Sequence, residues 1–390
     1  MKRLVSLDAF RGFDMMFIMG LFGLCVGIAH LFGVRDETSG LLIQFHHVPW
    51  NGFHFIDSVF PTFLFIAGVS FPFSHAKQRE RGDSWPSIHL KLVRRVALLI
   101  VLGMVYNGFL AFKFEEFRYA SVLGKIGLAW FVAALLYVHA GLRTRLVALV
   151  VWLAGYWALL HVTAPDAPAG VSSFSIEGCF PGYLDRLGFT PGFLYGCKKL
   201  ADGTIAQYMD GSGVPVSVLG AASTAMLGMF VGDLLRSVRA GLDGVRKCAY
   251  LAGIGAGLVV LGLVAALDCP IVKSLWTPSF ALVTGGYSFL MLALFHWLVD
   301  VRGHDRWCFF LKVVGVNSIA IYMLRHIVDY RGISRFFLSG IASWFPDPLF
   351  VELLGVTILC WLTCWCQVGP LRSSDVGRWH SRHRSFAHRL

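Results

Sequence analysis

Histidines and a single carboxylate mark the stretch from Gln44 to Ser74, where a polar loop runs directly into an apolar segment. His46 and His47 lie in the loop, and Asp57 is the acidic residue of the apolar segment. A charged side chain inside a membrane span costs about 2.5–3.5 kcal/mol, so it is expected to have a function and a partner. The candidate partners are the imidazoles of His47 and His54, and the three-residue spacing of His54 and Asp57 predicts that they share a helix face. A histidine oriented by a carboxylate is the unit that general-base and nucleophilic catalysis use.

The same residues could instead hold a metal ion. Two histidines and one carboxylate, here His47, His54 and Asp57, are a set of the kind that binds zinc or iron. Nothing else in the predicted outer loops repeats the pattern, and a carboxylate-oriented histidine explains the same residues with fewer components. We therefore expect no metal.

These residues must be positioned by membrane helices. Of the 390 residues, 56% are hydrophobic and 15% charged, and the mean hydropathy is +0.65, which excludes a soluble protein. Because a bilayer core of about 30 Å takes roughly 20 apolar residues per helix, we predict an all-α polytopic membrane protein with about ten transmembrane helices. The stretches are 13–33, 53–74, 92–112, 120–139, 145–163, 215–235, 248–268, 276–299, 308–328 and 348–368.

The lysines and arginines predict the orientation of these helices. With the N-terminus placed in the cytoplasm, basic residues are concentrated on the inner side, 21 against nine on the outer side, as the positive-inside rule requires. Both termini are then cytoplasmic, and the 34–52 and 164–214 loops lie outside. The net charge of +11 mostly reflects this bias, and no basic face or motif indicates a nucleic-acid partner.

The domain organisation follows from the same pattern. We predict one transmembrane domain over 1–370, with the outer loop 164–214 inserted in it, and a basic cytoplasmic tail over 371–390. Cys179 and Cys197 share the long outer loop, so whether they form a disulfide stays open and depends on that compartment being oxidising.

Other polar residues within the helices each allow two interpretations. Asp8 and Arg11 have the spacing of an intrahelical ion pair, but a guanidinium also matches the geometry of a phosphate. Lys125 near the outer end of its helix is either a lysine that reaches the membrane interface or part of a site. Asn317 either packs between helices or donates to a developing oxyanion.

Two groups of motifs resemble the heparan-α-glucosaminide N-acetyltransferase family. The first group is Arg3-x-x-Ser6-Leu7-Asp8-x-x-Arg11-Gly12 and His47-x-x-Trp50-Asn51-Gly52-x-x-x-x-Asp57-x-x-Phe60-Pro61. The second group is similar to bacterial members: Lys273-Ser274-Leu275-Trp276-Thr277-Pro278-Ser279-Phe280 and Gly315-x-Asn317-Ser318-Ile319-x-Ile321-Tyr322. The resemblance extends from Arg3 to about Cys366.

The resemblance implies a multi-pass acyltransferase that takes acetyl-CoA from the cytosol and acetylates the amine of a glucosamine-type sugar across the bacterial inner membrane. It implies that His47 is catalytic, that Asp57 and Asn317 line the central site, and that Asn51 shapes the loop. We further assign acetyl-CoA binding to Arg11, Asp8 and Lys125, and acceptor binding to Asn51, Trp50 and His54. Histidine chemistry fits an amine acceptor, because an amine with a pKa near 8 must lose a proton before it attacks a thioester.

Several alternatives stay open at this stage. His47 acts either as a general base or as a nucleophile that carries the acetyl group. A proton-coupled transporter for a sugar or organic anion would also need buried polar groups, and an O-acyltransferase of exported glycans would change only the acceptor. The acceptor's identity and the existence of a homodimer are not decided by the sequence.

Overall fold

The chain folds almost entirely into helices. The computed structural model describes residues 4–35, 40–112, 121–188, 198–199, 205–206, 214–238, 242–345 and 347–368. The α-helices are α1 Val5–Met16, α2 Phe22–Leu31, α3 Val59–Glu80, α4 Trp85–Tyr106, α5 Val122–His139, α6 Leu142–Leu160, α7 Phe180–Gly188, α8 Val214–Arg236, α9 Gly244–Ala265, α10 Pro278–Phe295, α11 Phe309–Val316, α12 Ser318–Ile327, α13 Tyr330–Ala342 and α14 Pro348–Val368.

Short elements complete the described part of the chain. Single turns of 3₁₀-helix lie at Leu42–Phe45, Phe55–Ser58 and Phe109–Ala111, and π-helical turns at Phe17–Leu21 and His296–Val301. Two antiparallel two-residue strands, β1 Lys198–Lys199 and β2 Ile205–Ala206, pair Lys198 with Ala206. The predicted all-α class is confirmed.

Membrane-spanning helices account for most of the described residues. Eight are long and apolar enough to cross a bilayer, and the number is nine if α11 and α12, which are bent by 74° at a break, count as one span. The chain is therefore a multi-pass membrane protein, and about ten spans is an approximate figure. The remaining predicted span, 92–112, falls on α4, which is helical over 22 residues but carries Lys91, Arg94 and Arg95 in its first half.

The chain divides into two compact units, Gln44–Gly303 and the combination of Met1–Ile43 with His304–Leu390. The single domain over 1–370 and the tail over 371–390 stay predictions, and the tail lies outside the described residues. In the 44–303 unit, α3 packs along α8, α4 along α5, and α9 along α10. Glycines allow the α3–α8 contact, because a Cβ on Gly68 would lie 2.2 Å from the carbonyl oxygen of Ala225.

In the other unit, α1 packs along α11 and α13 along α14. The sequence predicted one continuous helix over 308–328, and this prediction is wrong: α11 ends at Val316 and α12 begins at Ser318, with Asn317 at the break. Helix α13 lies in a segment between two predicted spans for which no helix was expected. Ion pairs hold the first half of this helix, since Arg335 contacts Glu352 of α14 at 2.8 Å and Arg331 contacts the same carboxylate.

Candidate active site

A histidine and a carboxylate meet where the polar loop enters α3. The Nδ1 atom of His47 lies 2.7 Å from Oδ1 of Asp57. The Asp57 side chain is buried, at 1% exposure, whereas the His47 side chain is 58% exposed. The pair therefore consists of a buried carboxylate and an imidazole that is accessible to solvent.

Lys273 joins this pair from the other end of the unit's sequence. Its Nζ atom lies 2.9 Å from Oδ1 of Asp57 and 2.9 Å from Nδ1 of His47. We name His47, Asp57 and Lys273 the outer triad. Sequence reasoning assigns Lys273 only to the basic residues of the outer side. It is also the first residue of a segment that carries the family resemblance, Lys273 to Phe280. Lysine is the formal counter-charge of the buried carboxylate, a role that the sequence had given to histidine alone.

The hydrogen-bond partners of His47 bear on its tautomer. Asp57 accepts from Lys273 and from two backbone N–H groups, so it is an ionised acceptor. Nδ1 of His47 lies within hydrogen-bond distance of the Asp57 carboxylate, an acceptor, and of the Lys273 ammonium, a donor. The shorter contact, at 2.7 Å, is the one to the carboxylate, and we assign the ring hydrogen to Nδ1 on that ground. The lone pair is then left on Nε2, which is the atom that a base or nucleophile uses.

Backbone groups hold Asp57 from the loop side. The N–H groups of His54 and Val48 donate to Oδ2 of Asp57 at 3.2 and 3.4 Å. His54 precedes the 3₁₀ turn Phe55–Ser58 in an extended conformation, so the predicted shared helix face of His54 and Asp57 is wrong. The His54 ring instead donates from Nδ1 to the carbonyl of His46 at 2.7 Å, which closes the loop on itself.

A tight turn before α10 presents Lys273. Asn51 and Val272 form an antiparallel bridge, and the N–H of Gly52 donates to the carbonyl of Ile271 at 2.9 Å. Gly52 has φ of +129°, a conformation that favours glycine. Thr277 caps α10, and its hydroxyl also accepts from the N–H of Val272 at 3.1 Å. This threonine, followed by proline at the first helical position, is a helix-start signal that the sequence carries openly.

An apolar cluster packs against the turn that precedes α10. Its buried members are Tyr156, Leu160, Cys179, Cys269, Val272 and Leu275. Trp50 packs against this cluster, and its indole N–H donates to the carbonyl of Phe174 at 2.7 Å. Burial raises the pKa of both the Cys179 and Cys269 thiols to about 11. Cys197 lies outside the described residues, so its disulfide with Cys179 stays a prediction.

The other assigned residues of this unit lie at the same end. Asn51 is exposed beside Trp50, and its backbone bridges to the turn that carries Lys273. Lys125 lies in the first turn of α5, with its ammonium 5.2 Å from the centre of the Trp276 ring, a cation–π contact that needs no ligand. Its role in binding acetyl-CoA stays a prediction.

The remaining assigned residues belong to the other unit. Arg11 lies 3.5 Å from Asp8 and donates to the carbonyl of Gly315 at 3.4 Å, so the ion pair of the first interpretation is present. Asn317 stands at the break between α11 and α12, and its buried Nδ2 finds no acceptor in the part of the chain that the structure describes. Both roles stay predictions.

A metal site has no support from the arrangement of ligands. Among the described residues, no three His, Cys, Asp or Glu side chains converge as metal ligands would. The expectation that no metal is needed stays a prediction.

Comparison with known proteins agrees with the motifs. No family model matches the chain. It is 26% identical to mouse (Mus musculus) heparan-alpha-glucosaminide N-acetyltransferase over 374 residues, covering 84% of this chain and 54% of that protein. It is 26% identical to the human (Homo sapiens) protein of the same name over 373 residues, covering 84% of this chain and 53% of that protein. The chain thus spans about half the length of these curated relatives. The resemblance read from the motifs is confirmed, and the chain is a distant relative of the heparan-α-glucosaminide N-acetyltransferases.

Proposed function

We propose that this protein is a membrane acetyltransferase that moves the acetyl group of acetyl-CoA to the amine of a glucosamine-type sugar. The observation that carries the proposal is the 2.7 Å contact between Nδ1 of His47 and the buried carboxylate of Asp57, on an imidazole that is 58% exposed. With the ring hydrogen on Nδ1, Nε2 would carry the lone pair that the reaction needs. The names of the two relatives support the reaction type. The choice of sugar is the finer part of the proposal.

The chemistry follows from the outer triad. In direct transfer, the sugar amine gives a proton to Nε2 of His47 and its nitrogen forms a bond to the thioester carbon. The carbon–sulfur bond then breaks, and coenzyme A leaves as a thiolate that recovers the proton. In the covalent route, Nε2 attacks the thioester carbon, the carbon–sulfur bond breaks and coenzyme A leaves as a thiolate. The amine then attacks the acetyl-imidazole, the bond from the acetyl carbon to Nε2 breaks, and the proton lost by the amine is taken up by the thiolate. In both routes Asp57 holds the imidazole, and we assign Asn317 to stabilise charge on the carbonyl oxygen.

Binding of the two substrates is divided between further residues. For acetyl-CoA we propose Arg11, Asp8 and Lys125, where the guanidinium of Arg11 would meet a phosphate. For the acceptor we propose Asn51, Trp50 and His54, because these residues lie within seven positions of His47 on the same loop. We propose that acetyl-CoA comes from the cytosol and the acceptor from the other side of the membrane. Lys125, which lies at the same end as the outer triad, would then meet the acetyl end of the donor and not its phosphates.

The orientation can be tested by labelling. We propose that the protein lies in a bacterial inner membrane with the 164–214 loop outside. Glu177 and Ser84 are both exposed, on predicted opposite sides. An impermeant maleimide should label Glu177→Cys in intact cells and reach Ser84→Cys only after the membrane is opened. The parent protein gives the background, and Ser84→Cys labelled from outside would overturn the orientation.

The activity can be tested with the purified full chain in nanodiscs. Acetyl-CoA with a labelled acetyl group is offered with a panel of amino sugars, and products are treated with hydroxylamine, which cleaves esters and spares amides. Stable label on glucosamine is the expected result. Label that hydroxylamine removes would indicate an O-acyltransferase. A protein that neither binds acetyl-CoA nor transfers label would favour the transporter alternative.

A further inference from the structure

A second polar cluster lies at the opposite end of α3, away from the outer triad. Four helices meet there: α3 and α8 close to their last residues, α5 at its last turn and α6 at its first. The charge distribution places this end in the cytoplasm. We name the group the inner cluster, and its members are His75, Arg79, Tyr137, Arg145, Asp233 and Arg236.

One part of the inner cluster is a structural connection. Asp233 accepts a hydrogen bond of 2.6 Å from the Tyr137 hydroxyl and one of 2.9 Å from Arg145. The guanidinium carbon of Arg145 also lies 4.1 Å from the centre of the Tyr137 ring. These contacts connect α5, α6 and α8. Asp233 is the one carboxylate of the cluster, and it neutralises the charge of a single arginine, Arg145.

The other part carries positive charge without a counter-ion. Neither Arg79 nor Arg236 makes an ion pair with another described residue, and the guanidinium carbon of Arg79 lies 4.7 Å from the centre of the Trp85 ring. His75 lies one turn before Arg79 on α3 and packs against the rings of Phe71 and Tyr137, with centroids 5.8 and 5.7 Å away. Arg236 lies about one turn after Asp233 on α8, the helix that packs along α3.

Unused hydrogen-bonding atoms lie in the same place. Nδ1 of His75 and Nε of Arg145 are buried and have no partner within the described ranges. Buried polar atoms are normally paired, so each such atom requires an explanation. Two guanidinium groups offer donors, and Nδ1 of His75 adds one when it carries the ring hydrogen. Together these groups form a surface for an anion with several acceptor oxygens.

We propose that the inner cluster binds a phosphate-bearing anion through His75, Arg79 and Arg236, while Tyr137, Asp233 and Arg145 keep the helix ends in place. The inference rests on the proposed function in one respect: in an acetyltransferase the anion is the phosphate end of acetyl-CoA. The phosphate headgroup of an inner-leaflet lipid offers the same chemistry. The site is distinct from Arg11, which belongs to the other unit.

Binding of the donor is the first arm of the test. Affinity for coenzyme A and for adenosine 3′,5′-bisphosphate, which lacks the acyl-carrying arm, is measured by calorimetry in nanodiscs of neutral lipid. Arg236→Gln and Arg79→Gln should each weaken both ligands about tenfold or more, a typical effect of one charge-assisted contact. Arg143→Gln is the matched control, because Arg143 is exposed, lies near Arg145 and undergoes the same change of charge.

Binding of lipid is the second arm. The same proteins are purified from membranes rich in phosphatidylglycerol, and retained lipid is counted by native mass spectrometry. Unchanged coenzyme A affinity with loss of retained anionic lipid in Arg236→Gln and Arg79→Gln would support the site with a lipid headgroup as its ligand. If both variants match Arg143→Gln in both arms, the site does not exist. A wild-type protein that binds no coenzyme A would refute the proposed function, and the lipid arm would still decide the site.

Discussion

The two ends of α3 carry polar clusters that are built in opposite ways. In the outer triad, one buried carboxylate receives hydrogen bonds from His47, from Lys273 and from two backbone N–H groups. In the inner cluster, the carboxylate of Asp233 serves Arg145 and Tyr137, and two further arginines have no counter-charge among the described residues. At the outer end the charges of Asp57 and Lys273 balance, and the imidazole of His47 is available for proton transfer. The inner end has surplus positive charge, which suits holding an anion.

The outer triad and the inner cluster lie far apart along α3. Asp57 and His75 are about 27 Å apart at the rise of an α-helix, close to the thickness of the bilayer core. A ligand that touches both ends must therefore be extended and carry its negative charge at one end. The comparison predicts that changes at the outer triad affect the rate and that changes at the inner cluster affect the affinity of the donor.

The largest effect is expected from His47. General-base help is typically worth about 10²–10⁴-fold, so His47→Ala should lose at least 100-fold in kcat and keep its affinity for acetyl-CoA. Asp57→Asn should be nearly as damaging, because the imidazole loses its orienting charge. The measurements are steady-state rates with glucosamine and calorimetry with coenzyme A.

His46→Ala and His54→Ala are the controls for this experiment and should retain much of the activity. A His47→Ala enzyme that works at close to the wild-type rate would disprove the mechanism. Incubation with labelled acetyl-CoA and no acceptor then separates the two routes: label that stays on the wild type and is lost in His47→Ala indicates an acetyl-histidine.

Lys273 should give the next largest effect, on stability as well as rate. Removing one partner of a buried ion pair typically costs about 3–5 kcal/mol, and Asp57 is 1% exposed. Lys273→Met should therefore lower the Tm by several degrees, measured by differential scanning fluorimetry. Since Asp57→Asn removes the uncompensated charge, the double variant should recover most of the stability and none of the activity. A double variant as unstable as Lys273→Met would show that the ion pair is not the reason.

The outer triad also shows how far the sequence reaches. His47 and Asp57 are ten residues apart, on one loop and the start of one helix, so their contact could be expected from local sequence. Lys273 is separated from Asp57 by 216 positions, and only the packing of α10 brings it there. The helix-start signal of Thr277 and Pro278 could have located the turn, but no pattern along the chain indicates where its lysine points.

Helix boundaries show the same limit. The apolar pattern predicted the spans, since membrane insertion depends on summed hydropathy. The break at Asn317 has no proline to announce it and depends on tertiary packing. The charged first half of α4 likewise placed the start of its predicted span inside a longer helix, because helix formation continues where hydropathy ends.

Arg11 gives a smaller effect, on the donor side. If its guanidinium meets a phosphate of acetyl-CoA, Arg11→Ala should weaken coenzyme A binding about tenfold and leave the acceptor KM unchanged. Lys312→Ala is the matched control, because Lys312 in the same unit also pairs with an aspartate, Asp305, at 3.3 Å. Equal coenzyme A affinity in both variants would leave Arg11 as the structural partner of Asp8.

The smallest effect concerns Trp50, whose indole could support the loop, contact the acceptor, or do both. Trp50→Phe keeps an aromatic ring against the apolar cluster and removes the hydrogen bond to the carbonyl of Phe174. The loss of such a bond costs about 1 kcal/mol, and Trp152→Phe should cost the same, because the Trp152 indole donates to the carbonyl of Leu219 at 2.8 Å. The two variants should therefore lose the same few degrees of Tm.

Acceptor kinetics then separate the two roles of Trp50. Contact with the sugar predicts a KM raised about fivefold in Trp50→Phe alone, which is the factor that corresponds to 1 kcal/mol. The affinity for coenzyme A should be unchanged in both variants, because the phosphate-binding residues proposed here lie in the other unit or at the far end of α3. An acceptor KM that stays at the wild-type value in Trp50→Phe would limit Trp50 to holding the loop, and acceptor recognition would then depend on Asn51 and His54.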